Sequence, residues 1–180
     1  MNILIKAAKI LDLSSPHHNT IQDIFIIDGV IQKIGKKLSF SDAKQISFKN
    51  LHVSQGWFDS SVSFGEPGYE ERETIAHGLA VAAMSGFTHI ALNTNTNPMP
   101  DSRADIAFLL EQANGSPVHL YPKARITIAD SDSKLAPLRE LQLTGAVCFS
   151  NHKSALKNAN VLKLALQYTN DFNGLIESFS

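Results

Sequence analysis

The segment from Trp57 to Tyr69 holds the side chains whose types and spacing most suggest a chemical site. It predicts a strand over 57–64 that ends in the turn Gly65-Glu66-Pro67-Gly68. Ser61 and Ser63 stand two residues apart just before that turn. Zinc accepts the neutral imidazole of histidine readily, whereas a neutral serine hydroxyl is a poor ligand for it. The two serines therefore do not predict a metal centre of their own.

Histidine is the other residue type here that could carry metal or proton chemistry. His152 is the candidate to watch, because it follows the strand predicted over 145–149, at the strand end where α/β barrels form their active sites. Asn151 and Lys153 flank it, but no carboxylate does, so an exposed surface position is the alternative. The remaining histidines of predicted helices and strands are expected to face solvent or to lie in or beside the core: His77, His89 and His119.

The first 54 residues predict a small β-unit made of short strands. Ile3 and Ile5 alternate with polar neighbours, and apolar runs at 24–27 and 30–34 flank Asp28-Gly29. An Asp-Gly pair between two apolar runs predicts a hairpin, because a type I′ turn requires positive φ at both central residues. Further strands are predicted over 46–48 and 52–53.

From residue 55 onward the pattern changes to strands alternating with helices. Strands are predicted over 57–64, 88–92, 118–121 with 124–128, 145–149 and 175–179; helices are predicted over 74–85, 102–113, 135–143 and 159–168. This alternation indicates β–α units on a parallel sheet. The predicted fold class is α/β: part of a β-sandwich over 1–54, then about half of a TIM-type (β/α)8 barrel over 55–180.

A complete barrel typically takes about 250 residues, so half a barrel leaves strand edges and apolar faces uncovered. The favoured explanation is that the chain is the front part of a longer protein; the alternative is pairing with another copy or chain. An oligomer is therefore expected.

The composition limits the classes of partner. The 180 residues carry 16 basic and 17 acidic side chains without long blocks of either sign, so neither nucleic acid nor an anionic membrane is an expected partner. No apolar run approaches the roughly 20 residues of a membrane helix. Cys148 is the single cysteine and is expected to be a small buried side chain rather than a nucleophile. A cytoplasmic location is expected.

Several motifs, in order along the chain, resemble the dihydroorotase family. The family's first barrel strand runs Asp-x-His-Val-His-Phe-Arg-Glu-Pro-Gly, and Asp59 to Gly68 is similar to it. Gly86-Phe87-Thr88 and Asn95-Thr96-Asn97-Pro98 resemble the second unit, and 145–150 resembles a strand that ends in Ser-Asp-Asp-Gly. Each short motif is weak alone, but together they are collinear over essentially the whole chain.

The resemblance implies a metal-dependent hydrolysis of a cyclic amide, which interconverts carbamoyl aspartate and dihydroorotate, on a site that this sequence lacks. By the resemblance, Ser61 and Ser63 stand at the strand-1 histidine pair, and Gly65 stands at the arginine that anchors the substrate carboxylate. Asn151 stands at a ligating aspartate of one subtype, and Phe179 stands at a later ligand histidine. Asn95 matches the family asparagine that holds the substrate carboxylate. Its alternative role is a turn residue of a segment that caps the following helix. No catalytic residue and no bound zinc are expected.

Three functions remain open at this point. The first is a catalytically silent homologue that, as the family's non-catalytic members do, acts as a structural partner of aspartate transcarbamoylase. The second is a working amidohydrolase with an unfamiliar ligand set, or with ligands beyond Ser180. The third is a small-molecule binding module that keeps the pocket without turnover.

Overall fold

The computed structural model describes residues 1–129 and 131–179. The chain divides into two compact units, Met1–Gln55 and Gly56–Ser180. The first unit is built from strands alone, and the second combines a parallel sheet with helices.

The first unit is a five-stranded sheet centred on its longest strand. Its strands are β1 (Asn2–Leu11), β2 (Ile21–Ile27), β3 (Val30–Gly35), β4 (Lys44–Ile46) and β5 (His52–Ser54). β1 pairs antiparallel with β2 and parallel with both β4 and β5, and β2 pairs antiparallel with β3. The predicted hairpin is confirmed, because Asp28 and Gly29 have φ values of 47° and 81° between β2 and β3.

The strand predicted over 46–48 is confirmed only at Ile46 and is wrong for residues 47 and 48. β4 pairs with β1 only from Lys44 to Ile46. Phe48 lies outside the strand with an exposed side chain. The chain turns at Asn50, where φ is 58°, before it rejoins β1 through β5. An apolar side chain at position 48 thus marks a connection and not a paired strand.

Asp23 holds the irregular part of this sheet together. Its buried carboxylate accepts hydrogen bonds from Lys6 Nζ at 2.6 Å, Ala7 N at 2.8 Å and Leu38 N at 2.9 Å. Ala7 has a φ of 51° at the point where the β1–β2 register shifts. Burial alone raises the pKa of Asp23, but these donors outweigh it and keep the pKa below its usual value.

The second unit is a parallel sheet with four helices in its described residues. The strands are β6 (Trp57–Val62), β7 (Phe87–Leu92), β8 (His119–Ala124), β9 (Cys148–Ser150) and β10 (Ile176–Glu177); the helices are α1 (Ile75–Met84), α2 (Arg103–Gln112), α3 (Leu138–Thr144) and α4 (Ala159–Asn170). The strand order is β10-β9-β8-β7-β6, and every pairing is parallel. The α/β half-barrel predicted from the sequence is confirmed.

Local capping explains where the first two helices begin. The Thr74 side chain accepts a hydrogen bond from His77 N and starts α1. Ser102 starts α2 through a capping box with Asp105. The alternative that residues 95–98 cap α2 is therefore wrong, since Ser102 does so and the loop is left for other contacts.

The predicted bounds of α3 and of two strands are also wrong. α3 starts at Leu138 and not at 135. Leu135 forms an antiparallel bridge with Thr127, and Pro137 is the N-cap residue of the helix. Gly145, with a φ of 127°, ends α3, so the strand predicted from 145 begins only at Cys148. The strand predicted over 175–179 is limited to Ile176–Glu177.

The two faces of the sheet differ in character. One face packs on the helices through two apolar clusters, of which Ile90 and Leu92 of β7 and Phe149 of β9 are members. The alternate residues of β8 include a lysine, Lys123, that pairs with Glu177 of β10 instead of joining those clusters. The face of the sheet opposite the helices thus carries an ion pair, and the strand ends carry the candidate site.

Candidate functional site

A buried amide joins the two serines at the end of the first barrel strand. Asn93 directly follows β7, and its backbone N–H donates to Val62 O at 2.8 Å, which sets it beside the end of β6. The whole residue is only 2% exposed. Asn93 Nδ2 lies 3.1 Å from Ser61 Oγ and 3.1 Å from Ser63 Oγ. The two hydroxyls are therefore held by one amide.

This donor set does not fit zinc. Two hydroxyls and an amide are neutral oxygen and nitrogen groups, whereas zinc sites in proteins use imidazole, thiolate or carboxylate ligands. In residues 1–129 and 131–179, no group of three or more histidine, cysteine, aspartate or glutamate side chains is arranged to hold a metal ion.

Gly65 is closed to any side chain by the turn that follows β6. Gly65 N donates to Glu73 O at 2.9 Å, and Tyr69 N donates to Gly65 O at 2.9 Å. A Cβ atom at Gly65 would lie 1.8 Å from the backbone oxygen of Tyr69. An arginine at this position would require the backbone of the turn to move.

The loop that contains Asn95 is tied to that turn and to the end of β9. Asn97 N donates to Pro67 O at 2.9 Å. Thr94 Oγ1 donates to Ser150 O at 2.9 Å. Asn95 is partly buried, and its Oδ1 is buried without a hydrogen-bond partner among the described atoms. The loop is fixed, and it leaves this one polar atom unused.

Asn151 is occupied by the loop after β8. Its Oδ1 accepts from Ile126 N at 3.0 Å, and its Nδ2 donates to Thr127 Oγ1 at 3.0 Å. The residue is buried. Its amide therefore organises the neighbouring backbone and is not presented as a free ligand.

His152 and Phe179 lie side by side after β9 and β10. Their ring centroids are 6.1 Å apart in an edge-to-face arrangement. His152 Nδ1 is buried and has no hydrogen-bond partner among the described atoms. Burial, followed by the charges of Lys153 and Lys123, lowers the pKa of His152, which favours a neutral imidazole. The structure thus brings these two predicted positions together. The Glu177 carboxylate lies close enough to oppose the lysine charges in their effect on the pKa of His152, but among the described residues it completes no group of three metal-ligand side chains.

An ion pair joins β8 and β10 on the face of the sheet opposite the helices. Lys123 Nζ, on a side chain only 4% exposed, lies 2.7 Å from Glu177 Oε2, on a side chain 33% exposed. Burial raises the pKa of Glu177, but hydrogen bonds from Lys123 and Ser150 and the Lys123 charge outweigh it, so the pKa falls below its ordinary value. Nearby, burial raises the pKa of the Cys148 thiol to about 11. Cys148 is thus a protonated, buried side chain at neutral pH.

Short motifs and residue periodicity do not mark the residues that organise this region, which are Asn93, Lys123, Arg125 and Glu177. A usable signal existed, because Lys123 and Arg125 alternate along a stretch whose neighbours are apolar. Two cations at that spacing on a buried strand predict a polar face on the sheet.

Comparisons with known proteins agree on the family. The family model described as dihydro-orotase-like matches residues 52–180. A dihydroorotase of Pelotomaculum thermopropionicum is 35% identical over 170 residues, covering 93% of this chain and 39% of the relative. A dihydroorotase of Acetivibrio thermocellus is 33% identical, covering 95% and 40%. The chain therefore spans about two fifths of the length of these relatives.

Solved structures support the fold. A D-hydantoinase has a TM-score of 0.73 at 21% identity, covering 98% of this chain and 39% of the other. A dihydroorotase has a TM-score of 0.67 at 13% identity, covering 97% and 50%. In the part of this chain that the structure describes, no helix is long and apolar enough to cross a membrane.

Proposed function

Because this chain belongs to the dihydroorotase-like family, we propose that it is a catalytically silent member that serves pyrimidine biosynthesis as a structural partner of aspartate transcarbamoylase. The proposal has two parts. The first concerns the missing hydrolytic site, and the second concerns why the fold persists without it.

One observation carries the first part: the Asn93 amide spans Ser61 and Ser63 at 3.1 Å on each side. In the proposed alignment these serines replace the metal-binding histidines. A family site needs a metal-bound water whose pKa is lowered toward neutrality. Here the same positions form a hydrogen-bonded cluster of hydroxyl and amide groups, which are poor ligands for zinc.

The other proposed family positions support the same conclusion. Gly65 has no room for the side chain that would anchor a substrate carboxylate. Asn151 uses its amide on Ile126 and Thr127. Restoring one group would leave the other two in place, so the loss of hydrolysis is spread over the ends of β6 and β9.

The partner role rests on what survives. The turn after β6 and the loop after β7 remain joined through Asn97 and Pro67, and the loop also remains joined to β9 through Thr94 and Ser150. A rigid scaffold without a hydrolytic site suits an assembly subunit. Aspartate transcarbamoylase is the partner that the family's non-catalytic members suggest.

The partner role is tested by reconstituting the transcarbamoylase with and without this protein. We expect the two to elute as one complex in size-exclusion chromatography, and we expect transcarbamoylase activity to fall when this protein is omitted. A Ser61→Ala/Ser63→Ala variant should support the transcarbamoylase as well as the wild type does, because the vacated site plays no part in assembly. Equal activity and unchanged elution without this protein would rule out the partner role.

A further inference from the structure

Arg125 is a buried cation at the edge of the sheet that carries the candidate site. It directly follows β8, and the whole residue is only 6% exposed. Its backbone N–H donates to Pro100 O at 2.8 Å, which ends the strand and ties it to the loop after β7. Ligands of parallel α/β sheets bind at this edge, where the carboxyl ends of the strands meet.

The guanidinium of Arg125 is only partly satisfied. Nε donates to Thr127 O at 3.1 Å, Nη2 donates to Thr127 Oγ1 at 3.3 Å, and Nη1 lies 2.8 Å from Met99 Sδ. A guanidinium has five N–H groups. These contacts use three of them, so one N–H on each Nη atom has no partner among the described residues.

The positive charge of Arg125 also has no counter-charge within 4.0 Å among the residues that the structure describes. The ion pairs with an N–O distance within 4.0 Å among residues 1–129 and 131–179 do not include Arg125. Asp101 accepts a hydrogen bond from Ala129 N, and Glu177 pairs with Lys123. A buried charge without a counter-charge is costly, so such groups are normally paired.

The strands on either side of β8 lead into polar groups that also lack partners among residues 1–129 and 131–179. β7 leads into Asn95, whose buried Oδ1 has no hydrogen-bond partner there, and β9 leads into His152, whose buried Nδ1 has none either. The parallel register aligns these ends, because Leu92 pairs with Pro122 and Ala124 pairs with Phe149. Rotating the side-chain amide of Asn95 by a half-turn puts Nδ2, a donor, where Oδ1 lies. The tautomer of His152 that is protonated on Nδ1 likewise places an N–H donor at that buried nitrogen. Three adjacent strand ends can therefore offer donors.

We propose that Arg125, which follows the strand between those that lead into Asn95 and His152, binds the carboxylate or phosphate group of a small anionic ligand at the carboxyl edge of the sheet. The two unused N–H groups of the guanidinium would donate to the anion. Charge-assisted bonds of this kind are the stronger class of hydrogen bond in proteins. This site goes beyond the proposed partner role and does not depend on it.

The site is tested by calorimetric titration of the whole protein with succinate and with inorganic phosphate, using succinamide as the uncharged analogue. We expect a dissociation constant of about 1 mM or below for at least one anion, and no binding of succinamide. Binding of succinate alone would identify a carboxylate ligand, and binding of phosphate alone would identify a phosphate ligand. If neither anion binds, the proposal is wrong.

Variants assign the binding to this residue. Arg125→Met should raise the dissociation constant of the anion at least about tenfold. Asn95→Asp keeps Arg125 and should also weaken binding, since it adds a like charge beside the anion; this second variant decides the matter if Arg125→Met does not fold. The matched control, Arg103→Met at the exposed start of α2, should bind as the wild type does. Unchanged affinity in both site variants would overturn the assignment.

Discussion

Replacing Glu177 by leucine is expected to lower the free energy of unfolding by about 3 kcal/mol, because it leaves Lys123 buried without its counter-charge. Lys123 is 4% exposed and has little access to water, whereas Glu177 is 33% exposed. Lys123→Met should therefore destabilise the protein less than Glu177→Leu does. Urea denaturation of each variant measures both effects.

The double variant Lys123→Met/Glu177→Leu should recover much of the stability lost in Glu177→Leu, because an apolar pair replaces the ion pair. The cycle should therefore show a clear coupling energy between the two positions. Lys163→Met, at an exposed position of α4, is the matched control and should change stability by no more than about 0.5 kcal/mol. Strictly additive single effects would show that the pair is not coupled.

The same coupling should depend on pH. The pKa of Glu177 in the folded protein lies below its ordinary value of 4.5. Its contribution to stability is then fully present above pH 4.5 and is lost as the pH falls through the lower folded value. The coupling energy measured at pH 7 should therefore shrink in acid, and a coupling that grew in acid would contradict the assigned charge states.

Replacing Ser61 and Ser63 together by histidine is expected to raise the affinity for zinc at least about 100-fold, equivalent to about 2.7 kcal/mol. Two neutral imidazoles would replace two poor ligands on a strand end that is otherwise intact. Equilibrium zinc titration with a competing chelator measures the change. Ser61→Ala/Ser63→Ala is the control and should gain no affinity. If the histidine variant binds zinc no better than this control, the two positions are not those of a family ligand pair.

The regained zinc site is not expected to restore hydrolysis. The family's strand-1 arginine would still be absent, and Gly65→Arg cannot supply it without movement of the turn, because a Cβ atom there meets the backbone of Tyr69 at 1.8 Å. Asn151 would also remain engaged with the loop after β8. Zinc binding and turnover should therefore separate in this variant.

The sequence was a good guide wherever the determinant was local. The Asp28-Gly29 hairpin and the start of α1 follow from residues within a few positions of each other. The alternation of strands and helices likewise predicted the parallel sheet. Alignment of short motifs drew attention to Ser61 and Ser63, although it could not show what holds them.

The organisation of the site depends on contacts between distant segments. Asn93 meets Ser61 from 32 residues away, and Lys123 meets Glu177 from 54 residues away. Arg125 leaves the strand because its N–H bonds to Pro100 O, which no periodicity of the sequence indicates. These pairings need the register of the sheet in three dimensions, so pattern alone placed the strands and missed their cross-connections.

Zinc content and dihydroorotate hydrolysis, measured together on the full-length protein after expression with added zinc, test the silent assignment most directly. An active dihydroorotase handled in parallel is the positive control. The neutral Ser61–Asn93–Ser63 cluster predicts no stoichiometric zinc and no hydrolysis above the rate without protein. Stoichiometric zinc together with metal-dependent turnover of dihydroorotate would contradict the assignment and establish an enzyme with an unfamiliar ligand set.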